Sequence, residues 1–134
     1  MESIVAEKLV TRALKEYDRV KEELNKPHRD FVMIATCELV KNAISELLAA
    51  YLFENDIQNF NRRDLLSMQK QCASIDDRFM GLKLAPIALL CDEESATYTN
   101  AIDEERLNRY VLTLEDVKKL VMASLQKRSE RLLL

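Results

Sequence analysis

The sequence predicts an all-α fold: an up-and-down bundle of four main helices with an irregular third segment, formed as a single domain over residues 1–134. Three observations predict it. Apolar residues recur at helical spacing along extended runs of the chain, and no stretch alternates apolar and polar residues long enough to require a strand. The 134 residues also include one glycine and two prolines, very few of the residues that sharp turns require. No repeat, low-complexity tract or linker-like composition divides the chain.

The first helix is expected over about residues 3 to 25, with Ala6, Val10, Ala13, Leu14, Tyr17, Val20 and Leu24 on one face and charge on the other. Asn25 and Pro27 interrupt it, and Pro27 suits the first turn of the next helix, where a missing N–H costs nothing. That second helix, about 28 to 54, is the most apolar part of the chain. Its polar residues Glu38, Lys41, Asn42, Ser45 and Glu46 form only a narrow stripe. Such a helix must be covered over most of its circumference, either at the centre of the bundle or at a helix-mediated dimer interface.

Asn61 with Asp64 reads as a cap opening a third helix through Leu65, Leu66 and Met68. Ser74 with Asp77 repeats the signal, so this segment should break near 74 and restart through Phe79, Leu82 and Ile87, made irregular by Gly81 and Pro86. Residues 92 to 112 lack a clear apolar period and read as a long connection with room for one helical turn. Thr113 with Asp116 then caps a last helix with Leu114, Val117, Leu120, Val121 and Leu125 inside. Lys118, Lys119, Lys127, Arg128 and Arg131 project elsewhere from it.

Composition narrows the chemistry. Dinucleotide fingerprints, phosphate loops and nucleophile elbows need glycines at fixed positions, and Gly81 stands alone. A net charge of -3 gives no global attraction to nucleic acid or to an anionic membrane. Cys37, Cys72 and Cys91 match neither a zinc site nor a redox pair and read as reduced thiols. The N-terminus MESIVAEKLV lacks the features of a signal peptide, and the longest apolar stretch carries Glu38, Lys41 and Glu46. A cytoplasmic chain without a membrane span is expected.

His28 is the only histidine and has no histidine or cysteine partner at ligand spacing, so a solvated or cap-proximal role is expected, with no metal and no cofactor. The acidic pairs and runs Glu22/Glu23, Asp76/Asp77 and Asp92/Glu93/Glu94 read as helix-end and loop charges. Arg62 and Arg63 before the third helix, and Arg106, Arg109 and Tyr110 before the last, can hold a phosphate where a helix end adds N–H donors. The alternative is plain surface solvation.

Several strings resemble the HEPN family (higher eukaryotes and prokaryotes nucleotide-binding). LVKNAISELLAAYL, Leu39 to Leu52, is similar to its central helix; RRDLLSM, Arg62 to Met68, is similar to the H-D-L-x-x-L that opens its third. Asn108-Arg109-Tyr110 followed by LTLEDVKKLVMASL resembles its R-Y segment and last helix. Departures are as informative. The family's Glu-Lys in the central helix is Lys41-Asn42 here, its later Lys is Ser45, and its His before Asp-Leu is Arg63. RNase members carry an Arg followed four to six residues later by His, and with His28 alone, preceded by Lys21, Glu22 and Glu23, no such pair can form.

The resemblance therefore implies a non-catalytic binding module, a homodimer through apolar helix faces, taking a nucleotide or RNA or working beside a nucleotidyltransferase-type protein. For an anionic ligand the expected nucleotide-binding residues are Arg62, Arg63, Arg109 and Tyr110, guanidinium forks for phosphate and a phenol to stack on a base. Two alternatives differ in class: a pure protein-interaction domain on which these arginines are surface, and an enzyme of unrecognised type marked by a convergent polar pocket.

Overall fold

The computed structural model describes residues 2–26, 30–90 and 104–133, and among these every regular element is helical. Three long helices make the frame: α1 (Glu2–Leu24), α2 (Asp30–Glu54) and α5 (Glu104–Leu133). Between α2 and α5 the chain forms α3 (Leu65–Ala73), a 3-10 helix (Asp77–Gly81) and α4 (Ala85–Leu90). The all-α bundle is the observed fold. No helix among the described residues is long and apolar enough to cross a membrane. Pro27, His28, Cys91 and the acidic run at 92–94 lie outside the described residues.

α1 runs antiparallel to α2, with Arg12 beside Glu46 and Ala6 near Glu54. It is also antiparallel to α5, since Tyr17 meets Glu115 while Ala6 and Val10 lie near Met122 and Leu125. α2 packs on α1, α3 and α5 and is the central element. Every residue from Ala43 to Leu52 is buried within this one chain. Of the two covers that an apolar helix needs, the chain itself supplies the one over this stretch, by surrounding it with its own helices.

This changes the polar stripe expected on α2. Glu38 and Asn42 are exposed, but Ser45 and Glu46 are buried. Ser45 remains satisfied because its hydroxyl donates to the carbonyl of Arg62 at 2.9 Å. Glu46 meets Arg12 and Glu16 of α1.

α2 stops in a Schellman arrangement. The amide of Asp56 donates to Phe53 O and that of Ile57 to Leu52 O, and Asp56 takes φ 64°. This left-handed position favours glycine, whereas Gly81 has no positive φ and open space where a Cβ would stand. Asp56→Gly is expected to stabilise the fold by about 0.5–1 kcal/mol, and Gly81→Ala by about 0.4–1 kcal/mol. Urea midpoints that rise at constant slope will show both effects.

In the third segment Asp64 is the cap of α3, accepting from the amide of Ser67 at 3.0 Å, while Asn61 Oδ1 accepts from Arg63 N. The segment breaks at 74 as expected, but the second cap is Asp76, not Ser74. Ser74 closes α3, and the Asp76 carboxylate accepts from the amide of Arg78. Pro86 sits in the first turn of α4, where its missing N–H is harmless. Gln69 ties the pieces together, its Nε2 donating to Phe79 O at 2.7 Å and Leu82 O at 2.8 Å.

The last helix begins earlier than its apparent cap. Residues 104–112, expected within a connection, are helical, and Thr113 lies inside α5 with its hydroxyl donating back to Arg109 O. Leu107, Val111 and Leu114 continue one buried stripe into Val117 and Val121. Glu104 and Glu105 in the first turn favour the helix dipole.

Candidate functional site

A groove of about 600 Å³ opens where the C-terminal end of α2, the end of α3, the 3-10 helix and the later part of α5 meet. Tyr51 forms part of its base. Its ring is tilted against Phe79 with centroids 4.6 Å apart, and the residue is 5% exposed. Burial is the main cause that raises the Tyr51 phenol's pKa, and the Asp76 carboxylate adds to it, so the group is a neutral donor at physiological pH.

Asp76 and Arg78 form another part of the lining. Arg78 Nη2 donates to Asp76 Oδ2 at 2.6 Å, and Nε lies 3.1 Å from both carboxylate oxygens. Local geometry imposes this pairing: Asp76 caps the 3-10 helix by accepting from Arg78 N, which brings the side chain two residues on over the same carboxylate. The hydrogen bonds from Arg78 hold the Asp76 carboxyl below its ordinary range, with Lys127 contributing from α5. Asp76 therefore stays ionised, and its oxygens are already committed.

Glu54, Asn55, Asp77, Ser124 and Leu125 complete the walls. Ser74 and Ser124 donate to backbone carbonyls of their own helices, Gln71 O and Leu120 O. The groove thus offers a phenol, a guanidinium pinned on one edge, an ammonium and carboxylates. Among the hydrogen bonds described for the groove's side chains, none joins a nucleophile to a base.

A second groove of about 570 Å³ runs between α1 and α5, over Ala6, Val10, Met122 and Leu125, with Glu7, Glu54 and Gln126 at its margin. It shares Glu54 and Leu125 with the first, so polar and apolar troughs adjoin across one end of the bundle. Among the described residues, no group of three histidine, cysteine or acidic side chains is placed to hold a metal ion. Burial pushes the Cys72 thiol up to about 12, and its Sγ faces Leu48 O, so this cysteine is an unreactive part of the core.

The four residues expected from sequence form two pairs on two elements. Arg62 and Arg63 are exposed in the turn before α3. The Asp64 carboxylate already occupies the N-terminus of that helix, so the donors expected to help the arginines hold a phosphate have an internal anion. Arg109 is exposed and Tyr110 half-buried, and both lie in the second turn of α5 rather than before it. Neither pair lines the two grooves.

Sequence reasoning missed Tyr51, Asp76, Arg78 and Lys127 as one group. Its local signal was the string Asp76-Asp77-Arg78, an acid at a helix start with a base two residues on. Nothing in the sequence places Lys127 or Tyr51 beside it. No family model, curated protein or solved structure matches the chain.

Proposed function

We propose that this chain is a non-catalytic, HEPN-like binding module of the cytoplasm whose recognition surface is the polar groove around Tyr51, Asp76, Arg78 and Lys127. One observation carries the reading: two of the groove's charged groups, Asp76 and Arg78, are fixed by each other, a state suited to recognition and unsuited to proton transfer. Among the described residues its charged lining has three acids, Glu54, Asp76 and Asp77, and two bases, Arg78 and Lys127. That balance favours a segment of a protein partner, such as a nucleotidyltransferase-type protein, over a polyanion. The strings similar to the HEPN central and third helices support the same reading.

A nucleotide or RNA is the second reading, favoured by the exposure of Arg62, Arg63 and Arg109. Amide chemical-shift mapping with ATP, a short RNA and peptides of mixed charge separates the two. Under the groove reading, a peptide shifts Tyr51, Asp76 to Arg78 and Lys127, and Arg78→Ala weakens its binding about tenfold or more, as expected for a lost charged hydrogen bond. Shifts confined to Arg62, Arg63, Arg109 and Tyr110, weakening steeply with salt, would transfer the site to the arginines. Turnover of any added nucleotide would end the non-catalytic reading.

A further inference from the structure

Inside the α1–α2 interface two carboxyl groups face each other. Glu46 is 3% exposed, in the part of α2 covered on all sides, and Glu16 of α1 lies within hydrogen-bonding reach of it. Glu16 Oε2 and Glu46 Oε2 are both buried, and neither has a hydrogen-bond partner when both groups are ionised. Two facing acceptors cost desolvation twice and repel each other, and a single proton between them removes both penalties. We infer that the α1–α2 interface is a proton-dependent clasp, in which one proton shared by Glu16 and Glu46 holds α1 against α2 and its loss loosens α1.

Arg12 Nε lies 3.5 Å from Glu46 Oε2, too far for a strong hydrogen bond. The proton resides on Glu16. Burial, followed by the hydrogen bond and the charge of Glu46, raises the Glu16 pKa to about 8, while Arg12 and Arg19 on the same helix oppose the rise. From the α2–α3 connection Arg62 approaches through its carbonyl, which Ser45 occupies, and its side chain is exposed. On the flank of α1 that faces α5, Lys21 and Tyr17 bind Glu115, and Lys118 lies over the Tyr17 ring.

When α1 opens, Glu16 meets water and returns to its ordinary value of 4.5. The closed state then holds one more proton than the open state between that value and about 8. Closure is fully favoured below the lower value, weakens as pH rises through the window, and is insensitive to this group above it. Near neutrality the balance shifts about tenfold per pH unit. α1 thereby responds to pH in the physiological range, and Ala6 and Val10 of the apolar groove move with it.

Hydrogen exchange on the whole chain, corrected for intrinsic rates, tests this between pH 6 and 8.5. Protection of α1 amides should fall about tenfold per pH unit and level off above about pH 8. Glu16→Gln, whose amide donates as the protonated acid does, should abolish the dependence and keep α1 protected. Protection independent of pH, or falling equally in Glu16→Gln, overturns the clasp. Should that variant fold poorly, carboxyl carbon titration of the unsubstituted protein measures the same proton directly. One glutamate with a midpoint near 8 supports the inference; all of them titrating below 6 refutes it.

Discussion

Phe79→Ala is expected to destabilise the fold by about 3–5 kcal/mol and to dismantle the polar groove with it. The ring is fully buried, is the largest fully buried side chain among the described residues, and rests on Tyr51 with centroids 4.6 Å apart. It is the only residue of the 3-10 helix that enters the core. Removing it opens a cavity beneath the Asp76–Arg78 wall and frees Tyr51 from its aromatic neighbour. Since small domains hold about 5–15 kcal/mol in total, the variant should lie near its unfolding midpoint in modest urea. Urea unfolding by circular dichroism measures the loss. A change below about 1 kcal/mol would mean that the 3-10 segment is held mainly by hydrogen bonds.

The second large effect separates those hydrogen bonds from packing. Gln69→Leu keeps an apolar chain of similar length but removes the donor shared by Phe79 O and Leu82 O. With about 1–3 kcal/mol for each stranded acceptor, discounted because Leu82 O is partly solvated, the expected cost is about 2–4 kcal/mol. Gln69→Glu gives the test a pH signature. An ionised carboxylate facing two carbonyl oxygens is repelled, whereas the protonated acid can donate to one of them. The group's pKa in the folded state is therefore raised, and the missing stability should return on acidification and disappear as pH rises through that value. If Gln69→Leu is as stable as the parent, the amide is dispensable and the return chain is held by Phe79, Leu84 and Ile87 alone.

Long runs of helical spacing were legible wherever one helix face meets the core. Ala6, Val10, Ala13 and Val20 mark the buried face of α1, and Leu114, Val117 and Val121 that of α5. The stripe was unreadable at residues 104–112 because Leu107 and Val111 are separated by Asn108, Arg109 and Tyr110 and preceded by Glu105 and Arg106. Only continuity with the rest of α5 makes them one face. A similar limit applies on α2, where Ser45 and Glu46 belong by sequence to the narrow polar stripe. Their burial depends on the connection at Arg62 and on α1, and periodicity within α2 contains neither.

The candidate site was legible in still smaller part. Asp76, Asp77 and Arg78 are neighbours in sequence and their cap is local, so that wall lay within reach of capping rules alone. Tyr51 had the credentials of a core residue, which it also is, and Lys127 those of a wet helix face. Their meeting with Asp76 needs the end of α2 and the far part of α5 to reach the same end of the bundle.

By itself the sequence determined the all-helical class, most of the three long helices and the break after α3, because each follows from periodicity or capping within a few residues. Only the tertiary structure decided that the stretch of α2 from Ala43 to Leu52 is enclosed by its own chain, that Glu16 and Glu46 face each other, and that Tyr51, Asp76, Arg78 and Lys127 share a groove. Those relations join residues far apart in the chain, and they arise from which helices pack together, a choice made by the summed burial of whole faces that no local pattern records.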